Sequence, residues 1–203
     1  MAHPNARLEA FCDAVFAIAM TLLIIEIKAP HLPHDATAGE LWAALKALLP
    51  HAFAFVLSFG IILITWVNHH EVLKTIERSS MPFIYANGFL LLTCVIMPFP
   101  TALLGNSLLT DHAAPAVVLY SSIHVLQALG WTALTRSAIP LLRDDTSVGQ
   151  VRRAEQSSYF AMAFYTTCAI LAVWLPHVIA AVITAAWIVW VVVHPLILKR
   201  SMT

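Results

Sequence analysis

The chain alternates long apolar stretches with short polar connections. Six apolar segments are legible: Leu8–Lys28, Leu48–His69, Pro82–Leu104, Pro115–Thr135, Ser158–Leu175 and His177–Leu198. Most approach the roughly 20 residues that carry an α-helix across a hydrocarbon core about 30 Å thick. The strict apolar–polar alternation of a membrane strand is absent, and lipid tolerates only helices or closed barrels. The pattern predicts an all-α integral membrane protein with six transmembrane helices, residues 1–203 forming a single domain. The connections are Pro30–Gly39, His70–Ser80, Gly105–Ala114, Arg136–Gln156 and a tight turn at Pro176–His177. Glu40–Leu49 is expected to form a short surface helix.

Composition sharpens that reading. Hydrophobic residues make up 60% of the 203 residues, charged residues 11%, and mean hydropathy is +0.82. A soluble domain averages about 45–50% apolar and about 25% charged. The first apolar run, Ala14–Ile25, is flanked by Glu9, Asp13, Glu26 and Lys28 rather than by a cleavage site, so it is expected to be retained as a helix. Placing the N-terminus in the cytoplasm puts Arg7, Lys74, Arg78, Arg136, Arg143, Arg152, Arg153, Lys199 and Arg200 inside and only Lys28 and Lys46 outside. Six spans then return the C-terminus to the cytoplasm, as expected of a multi-pass protein of a prokaryotic plasma membrane. Eleven basic residues balance eleven acidic ones without a basic tract, which argues against nucleic acid as a partner. Cys12, Cys94 and Cys168 are scattered through apolar stretches, a poor framework for disulfides or zinc.

The chemistry is sparse. Phosphate-loop, dinucleotide, zinc-protease and nucleophile-elbow motifs are absent, so neither an enzyme nor a cofactor is expected. In His69-His70-Glu71, adjacent side chains on a helix diverge by about 100°, so a polar helix end is a better reading than a metal site. The informative stretch is the first helix. Ile18, Leu22 and Ile25 stand at i, i+4 and i+7 and share a face, with Thr21 at its border. Such a stripe alone is more often lipid-facing or packed. Asp13 is costlier, because an ionisable group in a span needs a partner. The second segment returns to the same membrane face, which puts Trp66-Val67-Asn68-His69-His70 at the depth of Asp13. A cluster of Asp13, Arg7 and one histidine would satisfy the charge and clamp two helices. Alternatively, Asp13 with the His69/His70 pair would serve a proton- or cation-coupled secondary transporter.

The run Arg7-x-x-x-Phe11-Cys12-Asp13-Ala14-Val15-Phe16-Ala17-Ile18-Ala19 resembles the R-x-x-x-F-S-D signature of the lysosomal potassium channel family, transmembrane protein 175. Thr21–Pro30 and Trp66-Val67-Asn68-His69-His70 are similar to its prokaryotic members. Cys12 departs from the family's usual Ser, and a thiol is a weaker donor than a hydroxyl. The resemblance implies a homotetrameric, potassium-preferring cation channel in lipid, open to other monovalent cations, without a T-V-G-Y-G filter. It implies a first helix lining the pore, constricted at Ile18 and continued outward by Leu22 and Ile25. Thr21 would take the selectivity position, with Trp66 as its hydrogen-bond donor. Arg7, Phe11, Cys12 and Asp13 would pack against Asn68, His69 and His70 of the second helix. Glu26 would lie near the outer mouth, where a carboxylate raises local cation concentration, although pairing with Lys28 or snorkelling is the simpler expectation.

Overall fold

In the computed structural model the apolar segments fold as helices, and residues 5–201 are described, with side chains as far as residue 191. The order is α1 (Ala6–Ile25), α2 (Ala38–Ala47), α3 (Leu49–Thr75), α4 (Met81–Ile96), α5 (Pro98–Ser107), α6 (Ala113–Ala138), α7 (Val148–Leu171) and α8 (Pro176–Ser201). Two 3-10 turns, Ile139–Leu141 and Asp145–Ser147, join α6 to α7. No strand occurs among the described residues beyond one isolated bridge, Ile76 with Leu142.

Local chemistry sets the boundaries. Thr37 caps α2 in a reciprocal box: its hydroxyl accepts from the Glu40 amide, and the Glu40 carboxylate accepts from the Thr37 amide. Ser80 caps α4 by accepting from the Phe83 amide. The third apolar segment is divided at Met97 into α4 and α5, because Pro98 and Pro100 lack the N–H groups that an unbroken ladder requires.

Among the described residues, four stretches are long and apolar enough to cross a membrane: Ala6–Ile25, Leu49–Thr75, Met81–Ser107 and Ala113–Leu141. Of the last two predicted spans, α7 falls short of that measure for a physical reason. The first turns of α7 carry Arg152, Arg153 and Glu155, and the helix ends at Leu171, soon after its apolar part begins. In α8 the stretch with described side chains, Pro176–Val191, is an apolar helix. The side chains of Lys199 and Arg200 lie outside the described residues. Arg136–Gln156, expected as a loop, is mostly helix, since α6 runs to Ala138 and α7 starts at Val148. An Arg136 Nε bond to Glu155 Oε1 at 2.9 Å ties the two helices where the sequence looks merely polar.

The helices share one apolar core from Cys12, Phe16, Ala19 and Leu23 of α1 to Ile61 and Ile62 of α3, Cys94 of α4 and Tyr120 of α6. A second cluster, including Val72, Ile76, Phe83, Leu134 and Val151, closes one end. At that end Glu77 N donates to Leu141 O and Arg143 N to Thr75 O, both at 2.9 Å. The start of α1, the end of α3 and the α6–α7 junction therefore meet, bringing Lys74, Arg78, Arg136, Arg143, Arg152 and Arg153 to one pole. Lys28 and Lys46 lie toward the other.

In lipid, helices associate through close packing, and small residues permit it. A Cβ added at Gly130 of α6 would stand 3.0 Å from the Leu90 Cα of α4, which is backbone and cannot swing aside. Gly130→Ala is expected to destabilise the fold by about 1–3 kcal/mol, read as a lower midpoint in a denaturation series. The α2 cap adds a pH dependence. Bonds from the Thr37 backbone, then its hydroxyl, hold the Glu40 carboxyl below its usual range. A depressed carboxyl contributes stability above its ordinary pKa and loses it as pH falls through the lowered value. Amide-exchange protection of α2, corrected for intrinsic rates, is therefore expected to fall in that acid window, to lose the dependence in Glu40→Gln, and to keep part of it in Thr37→Ala, where the backbone amide still donates.

Candidate functional site

The rotation of α1 decides what it offers. Cys12, Phe16, Ala19 and Leu23, spaced by four, three and four residues, are fully buried against the bundle. The other face carries Phe11 (59% exposed), Ile18 (56%), Leu22 (39%) and Ile25 (65%), with Ala14 and Thr21 also exposed. Both faces are apolar, so hydrophobicity alone does not choose between them. The bundle leaves uncovered the stripe that contains Ile18, Leu22 and Ile25. The Thr21 hydroxyl donates to the Ile18 carbonyl at 2.9 Å, which leaves its oxygen lone pairs directed outward.

Below this stripe, α1 is fastened by directional bonds. Asn87 of α4 stands at their centre. Its Oδ1 lies 2.6 Å from His69 Nε2, and its Nδ2 donates to Cys12 Sγ at 3.0 Å. A carbonyl oxygen only accepts, so the His69 proton sits on Nε2. Nδ1 of His69 is buried without a partner, and Phe16 packs against the ring at 5.2 Å between centroids. One helix turn away, Trp66 Nε1 donates to Asp13 Oδ1 at 2.8 Å. The Trp66 indole also stacks on His70, and His70 Nδ1 lies 3.2 Å from Glu9 Oε1, an ion-pair contact not aligned as a hydrogen bond. Three pairs of side chains thus join the first turns of α1 to α3 and α4.

The expected cluster is present in place but rewired. Trp66 donates to Asp13 and not to Thr21, because antiparallel α3 carries it to the depth of Asp13, two turns from the threonine. The carboxylate facing a histidine is Glu9, on His70, rather than Asp13. Arg7 is exposed and makes no ion pair among the described residues, and Phe11 is exposed rather than packed in the core. Asn68 is half-buried and joins no hydrogen bond in the network. His69 and His70 face different partners, as their divergence on a helix requires. Glu26 is half-buried beside Leu23, His51 and Phe55 and forms no ion pair with Lys28. Asn87 escaped the sequence reading: one Asn within Phe83–Ile96 gives no local cue to a bond with Cys12, 75 positions away.

A family model described as endosomal/lysosomal potassium channel TMEM175 matches residues 7–98, which include every α1, α3 and α4 residue of this network. A protein named potassium channel from Chamaesiphon minutus is 42% identical over 134 residues, 66% of this chain and 66% of that protein. Another of that name from Streptomyces collinus is 43% identical over 133 residues, 65% of this chain and 63% of its own length. The matched part thus spans about two thirds of these two curated relatives. The crystal structure of a lysosomal potassium-selective channel TMEM175 homolog from Chamaesiphon minutus superposes with a TM-score of 0.77 at 34% identity, covering 91% of this chain and 96% of that one. The chain belongs to the TMEM175 family.

In this TMEM175 chain, the Asn87 bridge measures what the Cys12 thiol contributes as an acceptor. Asn87→Ala strands the buried His69 Nε2–H and is expected to cost about 1–3 kcal/mol. In a double-mutant cycle with Cys12→Ala, the losses should be less than additive. Full additivity would mean that the 3.0 Å contact carries no energy.

Proposed function

We propose that this protein is a passive, potassium-preferring cation channel whose pore forms where the first helices of four copies meet. The observation that carries the reading is the exposed α1 stripe of Ile18, Leu22 and Ile25, held outward by a buried opposite face. The relatives named potassium channel support the choice of ion. A small bundle with its interior filled by side chains offers no wide water path, so cyclic symmetry is the natural route to one. Four Ile18 and four Leu22 side chains around an axis make a constriction that gates by dewetting. From Ile18 to Ile25 is about 10 Å along the helix, a thin barrier once the ring widens. Thr21 supplies four hydroxyl oxygens whose lone pairs are free to meet a dehydrated cation.

In this reading residues 1–203 act as one six-helix channel domain in a prokaryotic plasma membrane, with both termini cytoplasmic. The gathering of basic residues at the pole where α1 begins supports that orientation. Trp66 works as a positioning residue through Asp13, and Asn87 through Cys12 and His69. Glu26 lies at the outer mouth. The transporter alternative draws no support from Asp13, which is bonded to Trp66 rather than joined to His69 or His70.

Protein reconstituted in liposomes with a potassium gradient is expected to pass potassium when the potential is collapsed, and native mass measurement should count four subunits. Ile18→Asn or Leu22→Asn should raise the flux and reduce the preference for potassium over sodium. A folded tetramer without flux would overturn the proposal, and an unchanged current in both variants would remove α1 from the pore.

A further inference from the structure

The short helix α2 shows a second uncovered apolar face, unrelated to the stripe on α1. None of its ten residues is buried. Trp42 is 66% exposed, Leu41 and Leu45 are 45% and 41% exposed, and Leu49, just beyond the helix, is 64% exposed. At 100° per residue Leu41, Trp42 and Leu45 fall within one sector of about 100° on α2, and Leu49 opens α3 directly beyond it. Glu40 and Lys46 lie outside that sector, and Ala43 is nearly opposite its centre. The helix is preformed by the Thr37–Glu40 box, so it pays little ordering cost on docking.

Its height is set by α3. Leu48 is at once the C-cap of α2 and the N-cap of α3, so no linker lets α2 wander from the span. The 27 residues of α3 reach about 40 Å, against a hydrocarbon core of about 30 Å. The polar last turns, Asn68 to Thr75, take up the excess, so the apolar run beginning at Leu49 puts the first turn at the boundary of hydrocarbon and headgroups. The polar pair there agrees: His51 Nε2 lies 3.0 Å from Asn106 Oδ1. An apolar helix face with an indole, a polar back and a fixed position at this level has the character of an interfacial helix.

We infer that α2 lies in the membrane interface at the pole opposite Asn5, with Leu41, Trp42, Leu45 and Leu49 sunk among the upper acyl chains of the lipid and Glu40 and Lys46 at the water side. The helix acts as a float that fixes the depth of the α1–α3 connection. This inference rests on the membrane setting and not on ion selectivity, so failure of potassium flux leaves it standing.

The test uses nitroxide labels at Leu45→Cys, Leu41→Cys and Ala43→Cys in the full chain, reconstituted in bilayers. The native cysteines Cys12, Cys94 and Cys168 are buried and serve as the unlabelled control. The expected result is severalfold greater collision with dissolved oxygen than with a water-soluble nickel chelate at positions 45 and 41, and the reverse at 43. Nickel preference at 45 and 41 would place the face in water and overturn the inference. Immobilised labels reached by neither agent would place it against protein, such as a second copy, and overturn it equally. Because three exposed positions are compared, loss of one variant to misfolding leaves the others decisive.

Discussion

A helix with two apolar faces has no preferred rotation until something directional fixes it. In α1 that role falls to the stripe Cys12, Phe16, Ala19 and Leu23 and to the polar bonds anchoring its lower half. Turning α1 by a third of a revolution would bury Ile18 and expose Phe16 at little cost in apolar area. It would also tear Asn87 from Cys12 and Trp66 from Asp13, leaving buried donors unpaired in lipid, where water offers no substitute. Hydrogen bonding thus chooses which greasy face the helix shows.

The same economy runs through the rest of the bundle. Ser58 lies 3.0 Å from the Tyr120 hydroxyl and accepts from Thr101 at 2.7 Å, joining α3, α5 and α6. Thr132 and Ser158 meet at 2.8 Å between α6 and α7. Threonine and serine elsewhere return their protons to carbonyls three or four residues back, as Thr65 does to Ile61. Each such bond in a membrane contributes about 1 kcal/mol or less. Their value lies in register, because apolar packing alone would accept several rotations of each helix.

This explains what was legible in the sequence and what was not. Four of the expected spans and the α2 segment follow from local pattern, apolar length and a capping box, whereas the expected single segment Pro82–Leu104 is broken at Pro98, where missing N–H groups interrupt the ladder. The depth of Asp13 relative to Trp66–His70 follows from antiparallel connectivity alone. Which donor meets which acceptor does not, since that depends on the rotation of two helices at once. Glu9 therefore took the place expected for Asp13 at the histidine, and Trp66 took the place expected for Arg7 at the aspartate. Asn87 was hidden for a related reason: a lone amide in an apolar run has no periodic partner, and its meaning lies in another helix. The stretch 139–156 misled in the opposite sense, since its charges suggest a loop while the Arg136–Glu155 bond holds helices together across it.

The two halves of α1 are therefore held by different forces. From Asn5 to Asp13 the attachments are directional: Asn5 Nδ2 to Ile76 O at 3.4 Å, Glu9 beside His70, Asn87 to Cys12 and Trp66 to Asp13. From Ala19 onward the contact among the described residues is apolar, chiefly through Leu23, and the side-chain hydrogen bond there, Thr21 to Ile18, is internal to the helix. Dispersion contacts change little over a small slide or tilt, whereas a hydrogen bond weakens steeply with angle. A displacement of α1 consequently costs least at Leu22 and Ile25 and most at Cys12 and Asp13. The helix behaves as a lever clamped at the Asn5 pole, and the exposed stripe lies on its free arm.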